Sequence, residues 1–143
     1  MLQNPLGYVL ESMTPIAHHE SILVDLKVKN HYAMAMLTQG KATKAEMDVL
    51  IAAFNMTEAL YRLGFGTDYK QEVRAGLDAL LQVARRGAET DRFILRSTEM
   101  AALNIAMELH DAQLEVITVK DMEKAIAIVN RERPKMTHIK EKK

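Results

Sequence analysis

The sequence predicts an all-α protein, a compact bundle-like array of about five helices. Three observations carry that reading. Apolar residues recur at three- and four-residue spacing along most of the 143-residue chain. Helix breakers interrupt the pattern at intervals, at Gly40, Gly64, Gly66, Gly87 and Pro134. No stretch sustains the two-residue alternation of a half-buried strand.

Residues 1–15 hold Pro5, Gly7 and Pro15 and read as an N-terminal arm, with a short helical turn at Tyr8-Val9-Leu10. The helical domain is expected over 16–133. Its first helix follows Pro15 and runs to about Gln39, with Ile22, Leu23, Leu26, Ala33, Met36 and Leu37 at helical spacing. Gly40 is placed to end it in the left-handed conformation that other residues resist. Thr43-Lys44-Ala45-Glu46 has the pattern of a capping box. The second helix carries Met47, Leu50, Ile51, Phe54 and Tyr61 and stops at Gly64-Phe65-Gly66. Thr67 is expected to cap the third helix, with Asp68 near its positive end. That helix carries Val73, Leu77, Leu80, Leu81 and Ala84. It has Arg85 and Arg86 in its last turn and ends at Gly87.

The fourth helix begins at Thr90 or is re-initiated at Ser97. From Met100 to Leu109 it is apolar or small on nearly every side, which predicts burial on most sides and a central or shared position. Val116 to Val119 is β-branched, which weakens helix locally. Thr118 with Asp121 marks a new start. The fifth helix carries Met122, Ala125, Ile126 and Val129 and is expected to close at Pro134. Residues 134–143 read as a flexible basic tail.

Composition narrows the function classes. No cysteine is present, which removes disulfides, thiolate metal sites and cysteine nucleophiles and agrees with a cytoplasmic location. The first residues lack the basic and apolar regions of a signal peptide, and no apolar run is long enough to span a membrane. Formal net charge is zero, against the basic excess of a nucleic-acid binder, so nucleic acid is not the expected partner. Ten methionines with few aromatics and no tryptophan point first to a core of Met, Leu, Ile and Ala, and second to adaptable contacts.

The most informative single residue is His110. Leu103, Met107, His110, Leu114 and Ile117 share one stripe of the fourth helix, so the imidazole lies on or beside an apolar face. It is most simply a core or interface histidine hydrogen-bonded to a neighbour. Asp111, next in sequence, points about 100° away and is poorly placed to pair with it. Glu108, His110, Asp111 and Gln113 form a polar cluster with Glu115 around the stripe. Met107 and Leu114 flank it. These six, His110, Glu108, Asp111, Gln113, Met107 and Leu114, are the candidate functional or interface residues.

No Glu-x-x-His pair of a di-iron bundle and no His-Glu-x-x-His zinc motif occurs. His18, His19, Glu20, Asp25 and His31 could meet a metal only by tertiary convergence. The turn Gly64 to Thr67 lacks the Lys-Ser/Thr of a phosphate loop and reads as a connector. Helices two and three, joined by a short connector containing glycine, imitate a helix-turn-helix. However, Asp68 and Glu72 stand where a recognition helix presents donors. Ser12, Ser21 and Ser97 lie in no nucleophile elbow. No catalytic residue, metal or cofactor is expected.

One resemblance adds context. Phe93-Ile94-Leu95 through Glu99, Ala102-Leu103, Glu108 through Glu115, Thr118-Val119, Leu23-Val24-Asp25-Leu26-Lys27 and Asn30-His31 resemble uncharacterised small helical proteins. Those proteins are carried by prophages and other mobile elements of proteobacteria. The resemblance covers most of the chain and implies an accessory protein acting on host or phage machinery by contact. The broad apolar surface of the fourth helix, the methionine-rich composition and the lack of catalytic motifs make the expected function a non-enzymatic interaction or regulatory module, homo-oligomeric. The resemblance adds a host or phage protein as a further partner. Two alternatives stand beside it: a small metal protein or enzyme centred on His110, and a nucleic-acid-associated regulator using the basic tail.

Overall fold

A computed structural model describes residues 20–141, with side chains from 21 to 132. The expected arm and the side chains of the expected tail lie outside the described residues. Over the described residues the protein is all-α, with five helices packed as a bundle: α1 Glu20–Thr38, α2 Lys44–Arg62, α3 Lys70–Thr90, α4 Ser97–Val116 and α5 Val119–Glu141.

The starts and stops follow local chemistry closely at three junctions. After α1, Gly40 adopts φ +72°, Lys41 N donates to Met36 O and Gly40 N to Leu37 O. This is the six-to-one and five-to-two pattern that satisfies the last carbonyls of a helix. Gly64 repeats it after α2 at φ +106°, with Phe65 N donating to Leu60 O and Gly64 N to Tyr61 O. At the start of α2, Thr43 N donates to Glu46 Oε1 at 2.7 Å and Ala45 N to Thr43 Oγ1 at 3.3 Å. At the start of α5, Thr118 N donates to Asp121 Oδ2 at 2.9 Å and Asp121 N to Thr118 Oγ1 at 3.1 Å.

Other junctions differ from the sequence reading. Thr67 does not cap α3. It opens a 3₁₀ turn, Thr67–Tyr69, behind the left-handed Gly66, and no side chain caps either start. Gly87 does not end α3. The helix continues one further turn to Thr90, and Asp91 takes the left-handed position with its N–H on Gly87 O at 2.8 Å. Gly87 is buried, and a Cβ there would run into the Phe93 ring. Its glycine permits a close approach rather than a stop. Arg86 therefore serves no helix end. It grips Glu99 at 2.5 and 2.6 Å and also donates to Ile94 O. Glu99 in turn accepts from Arg96 N at 2.9 Å, which fixes the start of α4 at Ser97 rather than Thr90. The Arg86 guanidinium, against the opposing effect of burial and with help from the Arg96 N–H, holds the Glu99 carboxyl below its ordinary pKa. Finally, α5 does not close at Pro134 but runs on to Glu141. A proline removes one donor and strains one turn, and here that does not terminate the helix.

Helix α2 is the hub, touching all four other helices, while α4 packs mainly on α3 and α2. This corrects the expectation of a central α4 covered on most sides. Ala101, Asn104, Ile105, Glu108, Ala112, Glu115 and Val116 form an exposed α4 face. The helix looks apolar throughout because alanine contributes to both faces. Ile22, Leu81 and Ile126, expected on inner stripes, are also exposed. The stripe Leu103, Met107, His110, Leu114 and Ile117 is buried throughout. Every methionine with a described side chain is buried or half-buried, so methionine serves the core.

The core has two parts. The larger joins Ala33, Met34 and Leu37 of α1 to Met47, Leu50 and Phe54 of α2. It continues into Leu80 and Val83 of α3 and Leu103, Ala106 and Met107 of α4. The smaller joins Leu23, Ala59, Leu60, Leu114, Ile117 and Ala125 where α5 begins. Gly76 lets α3 and α4 meet closely, since a Cβ there would lie 2.5 Å from the Ala106 Cβ.

The glycines separate by cause. Gly87→Ala is expected to destabilise by about 1–3 kcal/mol through overpacking against Phe93. This is the opposite of the ~1 kcal/mol gain that alanine brings to an open helix interior. Gly40→Ala has free space around the new methyl and should destabilise only through the backbone strain it introduces, about 1–2 kcal/mol. Urea unfolding followed by circular dichroism measures both.

Candidate functional site

Between the two apolar cores lies a layer of buried polar side chains: Asn30 of α1, Thr57 of α2, and His110 and Gln113 of α4. A buried amide or imidazole is costly unless its hydrogen bonds are made. Here Gln113 is the organiser. Its Nε2 donates to Thr57 O and to Phe65 O, both at 3.1 Å. Phe65 lies in the connector after α2, where backbone carbonyls have lost helical partners. With the amide nitrogen committed, Gln113 Oε1 faces His110 Nδ1 at 3.4 Å, so the Nδ1–H tautomer suits this contact. Thr57 Oγ1 donates to Ala53 O one turn back.

At the rim of this layer, α1 and α4 are joined by an ion pair and a histidine–carboxylate contact. His31 Nε2 meets Asp111 Oδ2 at 2.7 Å, and Lys27 Nζ meets Glu115 Oε2 at 2.8 Å. Asp111 Oδ1 is shielded from solvent and has no hydrogen-bond partner among the described residues. Burial pushes the His110 imidazole below its ordinary pKa; Gln113 and Asp111 oppose the shift, and His31 adds to it.

The six candidate residues thus separate. His110, Gln113, Met107 and Leu114 face the interior of the chain, Asp111 is half-buried and Glu108 is exposed. Asp111 pairs with His31 rather than His110, in keeping with its angular position. His110 is only 3% exposed, so its ring is closed off from a dissolved substrate in this conformation. Asp25 is exposed, and the described side chains contain no group of three His, Asp or Glu able to hold a metal. His18, His19 and Glu20 lie outside the described side chains. A shallow open groove between α3 and α4, lined by Gln71, Glu72, Ala75, Ala102 and Ile105, has a single titratable group.

The sequence reading missed Asn30, Thr57 and a second face of α1. The side of α1 directly opposite its core residues carries Ser21, Val24, Val28, Tyr32 and Ala35, all exposed. Val24, Val28 and Tyr32 are 52%, 62% and 57% exposed, where a surface helix ordinarily places polar groups. The signal was present as an i, i+4, i+8 spacing out of phase with Leu23, Leu26, Ala33 and Leu37. No family model, curated protein or solved structure matches the chain.

Two outcomes follow for the polar layer. Gln113→Leu strands the Phe65 carbonyl and the His110 donor, and should cost about 1–3 kcal/mol in urea unfolding. Folded His110 binds a proton less readily than the unfolded chain, whose ordinary value is 6.5. Its stabilising contribution is therefore complete above that pH and declines as pH falls below it. Measured stability should drop between about pH 7 and pH 5, and His110→Leu should flatten that slope.

Proposed function

We propose that this protein is a non-enzymatic interaction module that docks through the outer face of α1. The observation that carries the reading is the double-sided character of that helix. One side enters the core through Leu23, Ala33, Met34 and Leu37, and the opposite side presents Val24, Val28 and Tyr32 to water. Exposed apolar residues scattered singly are ordinary, but a contiguous apolar stripe marks a contact surface. The burial of His110 and Gln113 supports a structural role for the polar layer, which holds α4 and the α2–α3 connector while α1 faces outward. The resemblance to accessory proteins of prophages and mobile elements fits a protein that acts by contact.

A photo-crosslinking residue at position 28, introduced into the full chain in cells, tests the reading. It should capture a protein, whether another copy or a different chain. The same residue in place of Glu89, exposed on α3, should not, and Tyr32→Asp should suppress the capture. No capture at position 28, or equal capture at both positions, overturns the reading.

A further inference from the structure

The outer face of α1 also has a pattern of its own. Along the helix, Ser21, Val24, Val28, Tyr32 and Ala35 lie within about 40° of one line, at 100° per residue. On one flank of that line stand Asp25 and Lys29, both exposed. On the other stand Lys27 and His31, whose side-chain nitrogens are directed to Glu115 and Asp111 of the same chain. The stripe is therefore bordered by one satisfied flank and one flank with an acid and a base a single turn apart.

We propose that two copies of the chain pair antiparallel through this face, about a two-fold axis at Val28, with Asp25 of each copy against Lys29 of the other. The proposal rests on the interaction reading above and names its partner. In that register Val28 meets its own copy, Val24 meets Tyr32 and Ser21 meets Ala35. Small residues then lie at both ends and the larger ones in the middle. A two-fold contact is self-complementary by construction. In an antiparallel pair the same flanks face each other, so the Asp25/Lys29 order becomes two opposite-charge contacts. A parallel pair would instead set this flank against Lys27 and His31, which already face Glu115 and Asp111 of their own chain, and would align the two helix dipoles. The chain carries no net charge to oppose association. One helix stripe falls short of the roughly 800 Å² per partner typical of a stable interface. A contact of that size belongs to the weak, reversible class, with dissociation in the micromolar range.

The full chain has no cysteine, so single introduced cysteines report geometry directly. Light scattering of the wild type should show a dimer at micromolar concentration. Val28→Asp should raise the dissociation constant about tenfold or more, with helicity by circular dichroism unchanged. Asp25→Lys should weaken association, and adding Lys29→Asp to it should restore it. Under mild oxidation Val28→Cys should give a disulfide-linked dimer, whereas Ser21→Cys alone should not. Mixed Ser21→Cys and Ala35→Cys chains should cross-link to each other. A wild type that stays monomeric overturns the pairing, and if position 28 then captures a different protein, the interaction reading still stands. Ser21→Cys linking to itself as readily as Val28→Cys overturns the antiparallel register.

Discussion

The structure depends on the amide of Gln113. The bundle has two apolar cores rather than one, and non-directional burial does not by itself fix how α4 sits along α2. A side-chain amide donating to two backbone carbonyls does, because hydrogen bonds fail when partners shift by an ångström or more. By reaching Thr57 O and Phe65 O, Gln113 sets the height of α4 against α2 and secures the connector leading to α3. His110 fills the space beside it and contributes a neutral ring to an otherwise costly layer. Where its hydrogen bonds are made, such a layer rigidifies the bundle and specifies one packing.

Around that constraint the remaining contacts fall into order. Arg86 and Glu99 join the end of α3 to the start of α4, and Gly87 makes room for Phe93 in the turn between them. Lys27 and His31 tie α1 to α4 along the rim. These contacts are partly open to solvent and are individually modest in energy. Their larger effect is orientation, because they hold α1 with one side inward and the Val24, Val28 and Tyr32 side outward. An apolar face so held has a reason to meet another surface, and its charge pattern on one flank suits a second copy.

Much of the fold was legible from local chemistry. Gly40, Gly64, the Thr43–Glu46 box and the Thr118–Asp121 pair act as their residue types predict, since each is decided within a few residues of chain. The stripe from Leu103 to Ile117 was legible for the same reason, because helical periodicity alone places those side chains together. Gly87 and Arg86 were misread because their partners, Phe93 and Glu99, lie beyond the turn and are met only after the chain reverses. The candidate site was legible in part. His110 and Gln113 stood out as polar residues on an apolar stripe, but Thr57 and Asn30 did not, because each belongs to a different helix.

The sequence by itself determined the class, the helices and most of their ends, because capping, breaking and periodicity are short-range. It also determined that His110 would lie against an apolar face. Tertiary structure alone decided that α2 is the hub, that α4 keeps an open side, and that His110 and Gln113 turn inward. It alone decided which of the two apolar sides of α1 enters the core. Both sides of that helix are apolar enough to bury, and only the placement of α2 and α4 leaves Val24, Val28 and Tyr32 facing water.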